Sequence, residues 1–154
     1  MKSTIQDKAK LVNSVFSKVY NKYDLMNDIM SLGIHRIWKD KFIDWMNPSY
    51  NSSLIDVASG TGDIAKLFSL RNKNLPSITC IEPNENMFKK GKSNLVNFKN
   101  IKWIKSRAET LPVEDNMYDF YSISYGIRNV SDINKTLREA YRVLKPGGRF
   151  MCLE

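Results

Sequence analysis

The sequence predicts an α/β fold, a Rossmann-like doubly wound parallel sheet preceded by an N-terminal helical segment. Three observations carry that prediction. From Ser53 onward, short apolar runs alternate with segments whose apolar residues recur at three and four. A glycine loop, Gly60-Thr61-Gly62, joins the first of these runs to the helix that follows. Before Pro48 only helical stripes are found. Strands alternating with helices imply right-handed crossovers and a parallel sheet covered on both faces.

In order along the chain, Val12, Val15, Phe16, Val19, Tyr20 and Tyr23 form one apolar stripe. Asp24 opens a second short helix with Leu25, Ile29 and Met30, and Gly33 breaks the pattern. Ile34, Ile37, Trp38, Phe42 and Trp45 form a third stripe, ended by Asn47-Pro48. The polar stretch 48–53 is the best internal boundary, dividing a helical segment, 1–50, from a sheet domain, 51–154. Ser53–Val57 suits a buried parallel strand. The next helix turns Ile64, Leu67 and Phe68 inward. Ser77–Ile81 is a second strand, Asn84 to about Leu95 a helix, Ile101–Ile104 a third strand and Asp119–Ser124 a fourth. Ile133, Leu137, Ala140, Tyr141 and Leu144 mark an amphipathic helix. Pro146-Gly147-Gly148 stops it and turns the chain into a fifth strand, Arg149–Leu153. A sheet ending there exposes a fresh edge, so the sequence implies either a fragment or a partner that covers it.

With 154 residues the chain can build one compact core. Lys and Arg outnumber Asp and Glu by 24 to 16, a net charge of +8. The lysines are scattered and no RNA-binding signature is present, so a solvated basic face is expected first, contact with anionic lipid second and nucleic acid last. No apolar run is long enough to cross a bilayer and no signal-peptide core is evident, which points to the cytoplasm or an organelle matrix. Cys80 and Cys152 lie in strand-like runs without partners at metal-ligand spacing. Both are expected to be buried thiols, with no metal site.

Ligands of doubly wound sheets bind beyond the carboxyl ends of the strands, where strand order reverses. Gly60-Thr61-Gly62 falls there. Glycine lets backbone N–H groups approach a ligand, and the helix N-terminus favours a carboxylate or phosphate. The loop also fits the dinucleotide pattern G-x-G-x-x-A, so an NAD-dependent oxidoreductase is one reading. Asp56 before the loop and Asp63 after it argue the other way. Two carboxylates repel a pyrophosphate but suit a ligand bearing an ammonium and a sulfonium. Glu82, closing the second strand, can accept hydrogen bonds from both hydroxyls of a ribose. Helix-terminal charge and loop bracing remain the structural alternative for Asp56 and Asp63.

Several stretches together resemble class I S-adenosylmethionine-dependent methyltransferases, and more closely the ubiquinone/menaquinone biosynthesis C-methyltransferase family. They are Phe16-Ser-Lys-Val-Tyr20, Tyr23-Asp-Leu-Met-Asn-Asp28, Asp56-Val-Ala-Ser-Gly-Thr-Gly-Asp63, Arg107-Ala-Glu-Thr-Leu-Pro112, Tyr125-Gly-Ile-Arg-Asn-Val130 and Tyr141-Arg-Val-Leu-Lys-Pro-Gly-Gly148. The resemblance spans nearly the whole chain. It implies the strand order 3-2-1-4-5 and S-adenosyl-L-methionine as cofactor. The implied contacts are Thr61 in the loop, Glu82 on the ribose, Arg107 and Ala108 beside the adenine, and Ser124 near the methionine end. The family usually has Asp or Asn in place of Arg107 and Asp in place of Glu82. Its members also continue for a further stretch with two more strands.

The reaction so implied is methylation of a carbon of a prenylated benzoquinol or naphthoquinol ring. A ring hydroxyl must lose its proton, and a nearby cation eases that loss. Arg128, with Asn129 beside it, is the first candidate; a loop salt bridge is its alternative. Tyr23 and Asp24 are candidates for substrate contact against a packed tyrosine and a helix cap. His35 is expected to serve packing or surface rather than chemistry. Phe16, Tyr20, Tyr23, Met26, Met30 and Trp38 divide between core packing and a prenyl tunnel. A membrane-soluble tail would give the positive charge a use at the surface of an anionic inner membrane. A cofactor-binding subunit without turnover is the non-enzymatic alternative.

Overall fold

A computed structural model describes residues 34–72 and 74–154. The two stripes between Val12 and Met30, including Tyr23 and Asp24, lie outside the described residues. Within them the chain runs α1 (Ile34–Met46), β1 (Leu54–Val57), α2 (Asp63–Arg71), β2 (Ile78–Ile81), α3 (Glu85–Asn94) and β3 (Ile101–Ile104). There follow β4 (Tyr118–Ser124), a 3-10 turn (Ile127–Asn129), α4 (Ile133–Val143) and β5 (Leu144–Leu153). The five strands are all parallel in the order β3-β2-β1-β4-β5. Strand order therefore reverses between β1 and β4, and the expected architecture is the observed one.

Every residue of β1 and β2 is buried, as a central parallel strand requires. Side-chain alternation divides them between two cores. Leu54, Ile78, Cys80 and Phe120 meet Phe42, Ile43 and Met46 of α1 and Ile64, Ala65 and Phe68 of α2. Ile55, Val57, Ile81, Tyr121 and Ile123 meet Ala140 and Val143 of α4 on the other face. The Asn84 side chain caps α3 by accepting from the N–H groups of Asn86 and Met87 (3.0 and 3.1 Å).

The structure sets four details that the sequence left open or read otherwise. The buried face of α1 is His35, Phe42, Ile43 and Met46, while Ile34, Ile37, Trp38 and Trp45 are exposed. In α4 the buried residues are Thr136, Ala140 and Val143, whereas Ile133, Leu137 and Tyr141 are exposed. Thr136 is tolerated because its hydroxyl donates to the Asp132 carbonyl within the helix (3.0 Å). The fifth strand begins at Leu144, which pairs with Tyr118; regular pairing resumes at Phe120 with Arg149, so Lys-Pro-Gly-Gly forms a bulge. Cys80 is buried as expected, but Cys152 is exposed on β5.

Charged side chains tie α1 down. Arg71 of α2 pairs with Asp40 (2.6 Å) and with Asp44. Arg149 of β5 donates to the Met46 carbonyl at the C-terminus of α1, and its guanidinium lies 4.7 Å from the Phe120 ring centre.

Candidate functional site

The site grows from the ends of β1 and β4. Register sets Asp56 between Cys80 of β2 and Ser122 of β4. The Ser122 hydroxyl donates to Asp56 Oδ1 at 2.6 Å, while the buried Oδ2 has no hydrogen-bond partner among the described residues. Burial pushes the Asp56 carboxyl up to about 7; the Ser122 and Ser59 hydroxyls and the charge of Lys39 act in the opposite direction. A carboxyl in this position is poised between its two forms near neutrality, and a cation placed on Oδ2 would ionise it.

Past Val57 the backbone enters left-handed conformations. Ala58 has φ 55° and, across the switch point, Tyr125 after β4 has φ 53°. Each costs of order 1–3 kcal/mol in a non-glycine residue, and such strain gathers at binding sites. Gly60 and Gly62 are also left-handed, at 57° and 89°. Their loop is braced by Glu82. Gly60 N–H donates to Oε2 and Asn84 N–H to Oε1, both at 2.8 Å. Burial raises the Glu82 carboxyl, and these two amides partly offset the rise.

A cleft opens at this place, lined by Lys39, Asp56, Ala58, Ser59, Gly60, Thr61, Asp63, Ile64, Ser124 and Tyr125. Asp56, Gly60, Thr61 and Ser124, four of the candidate residues, thus line one cleft. The Ser124 hydroxyl is buried without a partner among the described residues. Glu82 adjoins the loop through the Gly60 amide. Ala108 is buried in the core on the α4 side of the sheet. The Arg107 guanidinium lies on Glu109 (3.4 Å) and the Ser131 hydroxyl. Arg128 is 67 % exposed and pairs with Glu154 at 3.5 Å. The Asn129 amide donates to the Tyr125 carbonyl (3.5 Å), fastening the turn that carries the strained residue. His35 is buried in α1.

Sequence reasoning missed Lys39, which reaches from α1 to Asp63 at 2.6 Å with only 12 % of its side chain exposed. It also missed Ser122, the residue that holds Asp56. The first contact joins residues 24 positions apart and has no local signature. The second follows from register, once β1 and β4 are known to be neighbours.

Comparison with known proteins gives this geometry a family. Residues 2–154 match the model of the ubiE/COQ5 methyltransferase family. The chain belongs to that family. A relative from Rickettsia bellii, named ubiquinone/menaquinone biosynthesis C-methyltransferase UbiE, is 52% identical over 154 residues. The match takes in 96% of this chain and 62% of the relative, so the chain spans about three-fifths of the curated relative's length. A relative of the same name from Rickettsia prowazekii is 52% identical over 150 residues, covering 94% and 60%. Among solved structures, a SAM-dependent methyltransferase from Thermotoga maritima superposes with TM-score 0.67 at 25% identity, covering 90% of this chain and 59% of that one.

Proposed function

We propose that the chain binds S-adenosyl-L-methionine in this cleft and serves methyl transfer to a ring carbon of a prenylated quinol. The observation that carries the cofactor reading is Asp56, which lines the cleft beside the glycine loop and whose buried Oδ2 has no hydrogen-bond partner among the described residues. A buried acceptor without a donor is costly, and a ligand ammonium is a donor that also favours the ionised form. Glu82 still has lone pairs beyond the two spent on Gly60 and Asn84, enough for a ribose diol. These residues fit the group. Thr61 and the close backbone of the Gly60–Gly62 loop would meet the amino-acid tail, Ser124 the methionine end, and Arg107 and Ala108 the adenine.

When bound, the cofactor supplies a methyl group made electrophilic by its sulfonium. The protein's own residues orient the acceptor and manage its proton. Arg128 would steady the developing phenolate or hold a water against it, in exchange for Glu154. Asn129 would keep the Tyr125 turn in place, and Tyr23 would contact substrate. The naming of the relatives supports a quinol of the ubiquinone or menaquinone series, benzenoid or naphthalenoid. The test is transfer of labelled methyl from the cofactor to a demethylated quinol. Cofactor binding without transfer would favour a binding subunit, and preference for NAD over S-adenosylhomocysteine would defeat the reading.

Asp56 gives this proposal a pH signature. The free protein's carboxyl titrates near pH 7, and an ammonium on Oδ2 requires the ionised form. Binding therefore releases a proton below pH 7, so affinity should rise by up to tenfold per pH unit from pH 5 to 7 and then level off. Titration calorimetry in buffers of different ionisation heat measures both effects, and pH-independent affinity would count against the Asp56 contact. In the protein without ligand the sign is opposite. The folded carboxyl holds its proton more tightly than the unfolded one, so this group's contribution to stability falls as pH rises from about 4 to 7.

Among the described residues no helix is long and apolar enough to cross a membrane. Ile37, Trp38 and Trp45 nevertheless stand exposed on α1, and the net charge of +8 favours an anionic bilayer. We infer peripheral contact there, which would bring the prenyl tail to the protein. Replacing both Trp38 and Trp45 by serine should reduce sedimentation with anionic vesicles several-fold; unchanged sedimentation would remove α1 from the contact.

A further inference from the structure

Among the described residues that line the cleft Lys39 is the single cation, beside the acids Asp56 and Asp63. Its position is built rather than incidental. It projects from α1, on which Phe42, Ile43 and Met46 are core residues, and its ammonium is held at 2.6 Å from Asp63 with little of the side chain exposed. Arg71 and Arg149 fix α1 against α2 and β5, so the ammonium is delivered to the cleft by a helix that is itself anchored. A lysine ammonium has three protons, and Asp63 takes one of them. Two remain for a ligand.

Charge decides which ligand suits this set. Two carboxylates alone would accept any amine. With Lys39 held on Asp63 in the same cleft, a ligand that brings only an ammonium meets a like charge beside the two acids. A ligand that brings an ammonium and a carboxylate on one carbon satisfies every group: ammonium on Asp56, carboxylate on Lys39. We propose that Lys39 binds the α-carboxylate of the cofactor's amino-acid tail and so makes the cleft selective for a zwitterionic amino-acid end over a simple amine. This deepens the cofactor reading and rests on it. It also makes α1 part of the cofactor site, with Asp63 orienting the lysine.

The test compares two ligands in two proteins. S-adenosylhomocysteine and its decarboxylated analogue differ only in the carboxylate, and each is titrated into the wild-type chain and Lys39→Met. The proposal expects the wild type to prefer S-adenosylhomocysteine, and Lys39→Met to lose roughly ten- to a hundredfold in affinity for it, as expected for a charge-assisted hydrogen bond. Affinity for the decarboxylated analogue should change less than about twofold or improve. An equal loss for both ligands, or no loss for either, overturns the proposal while leaving the cofactor reading intact. A wild type that binds neither ligand overturns both. The wild type also supplies a readout that needs no variant. Amide exchange in Ile34–Met46 should slow with S-adenosylhomocysteine and not with the analogue; equal protection by the two ligands contradicts a carboxylate contact from α1.

Discussion

Replacing Gly62 with alanine is expected to cost about 3 kcal/mol of stability, because two independent penalties fall on one residue. Its φ of 89° is a conformation that L side chains rarely adopt, and an added Cβ would lie 2.6 Å from Leu95 Cδ1 and 3.0 Å from the Trp103 ring. Neither neighbour yields easily. Leu95 belongs to the core, and Trp103 is packed against it and edge-on to Phe88. The same change at Gly60 is expected to cost only about 1 kcal/mol. There φ is 57°, and the nearest atom is the flexible end of Met87 at 3.3 Å. Urea midpoints should therefore fall much further for Gly62→Ala than for Gly60→Ala, with the m-value unchanged. Equal losses would mean that the loop is not clamped against α3 and β3.

Removing the Glu82 carboxylate should have the largest effect on ligand binding. Glu82→Ala withdraws the acceptor for the Gly60 and Asn84 amides and, in the proposed complex, for two ribose hydroxyls. Hydrogen bonds to a charged group contribute about 1.5–3 kcal/mol each, so affinity for S-adenosylhomocysteine should fall by roughly a hundredfold or more. Adenine-bearing ligands that lack the ribose hydroxyls should be affected much less. That contrast separates a sugar contact from loss of the loop brace, which would weaken all ligands alike.

The order of elements was legible because it rests on local signals. Apolar runs of four to seven residues, the cap at Asn84 and the glycine loop each carry their cause within a few positions. Which face of a helix turns inward was less legible. In α1 the sequence offers two apolar faces, and the structure buries the one with Ile43 and Met46 while leaving Trp45 72 % exposed. In α4 Tyr141 is 85 % exposed although it sits in the apolar stripe. Amphipathic spacing reports that a helix has two sides, but only its neighbours decide which is covered. Pro146-Gly147-Gly148 was read as a stop before β5 because turn residues were taken to end pairing. A bulge lets the chain pass them without leaving the strand.

In the candidate site, Asp56, Gly60, Thr61 and Ser124 could be named from the sequence because they flank one loop and the ends of two strands. Lys39 could not, since an ion pair across 24 residues has no periodicity to betray it. Arg107 and Arg128 were legible as residues but not as contacts. Their guanidinium groups lie on Glu109 and Glu154, partners that only the folded chain brings into reach.

The central claim is that the acids and amides at the β1–β4 switch point take S-adenosyl-L-methionine. A crystal of the chain grown with saturating S-adenosylhomocysteine tests it most directly. The account predicts density with the amino group on Asp56, the tail along Gly60–Gly62 and the ribose hydroxyls on Glu82. Ligand density at another surface, or none in this cleft despite saturation, would contradict it.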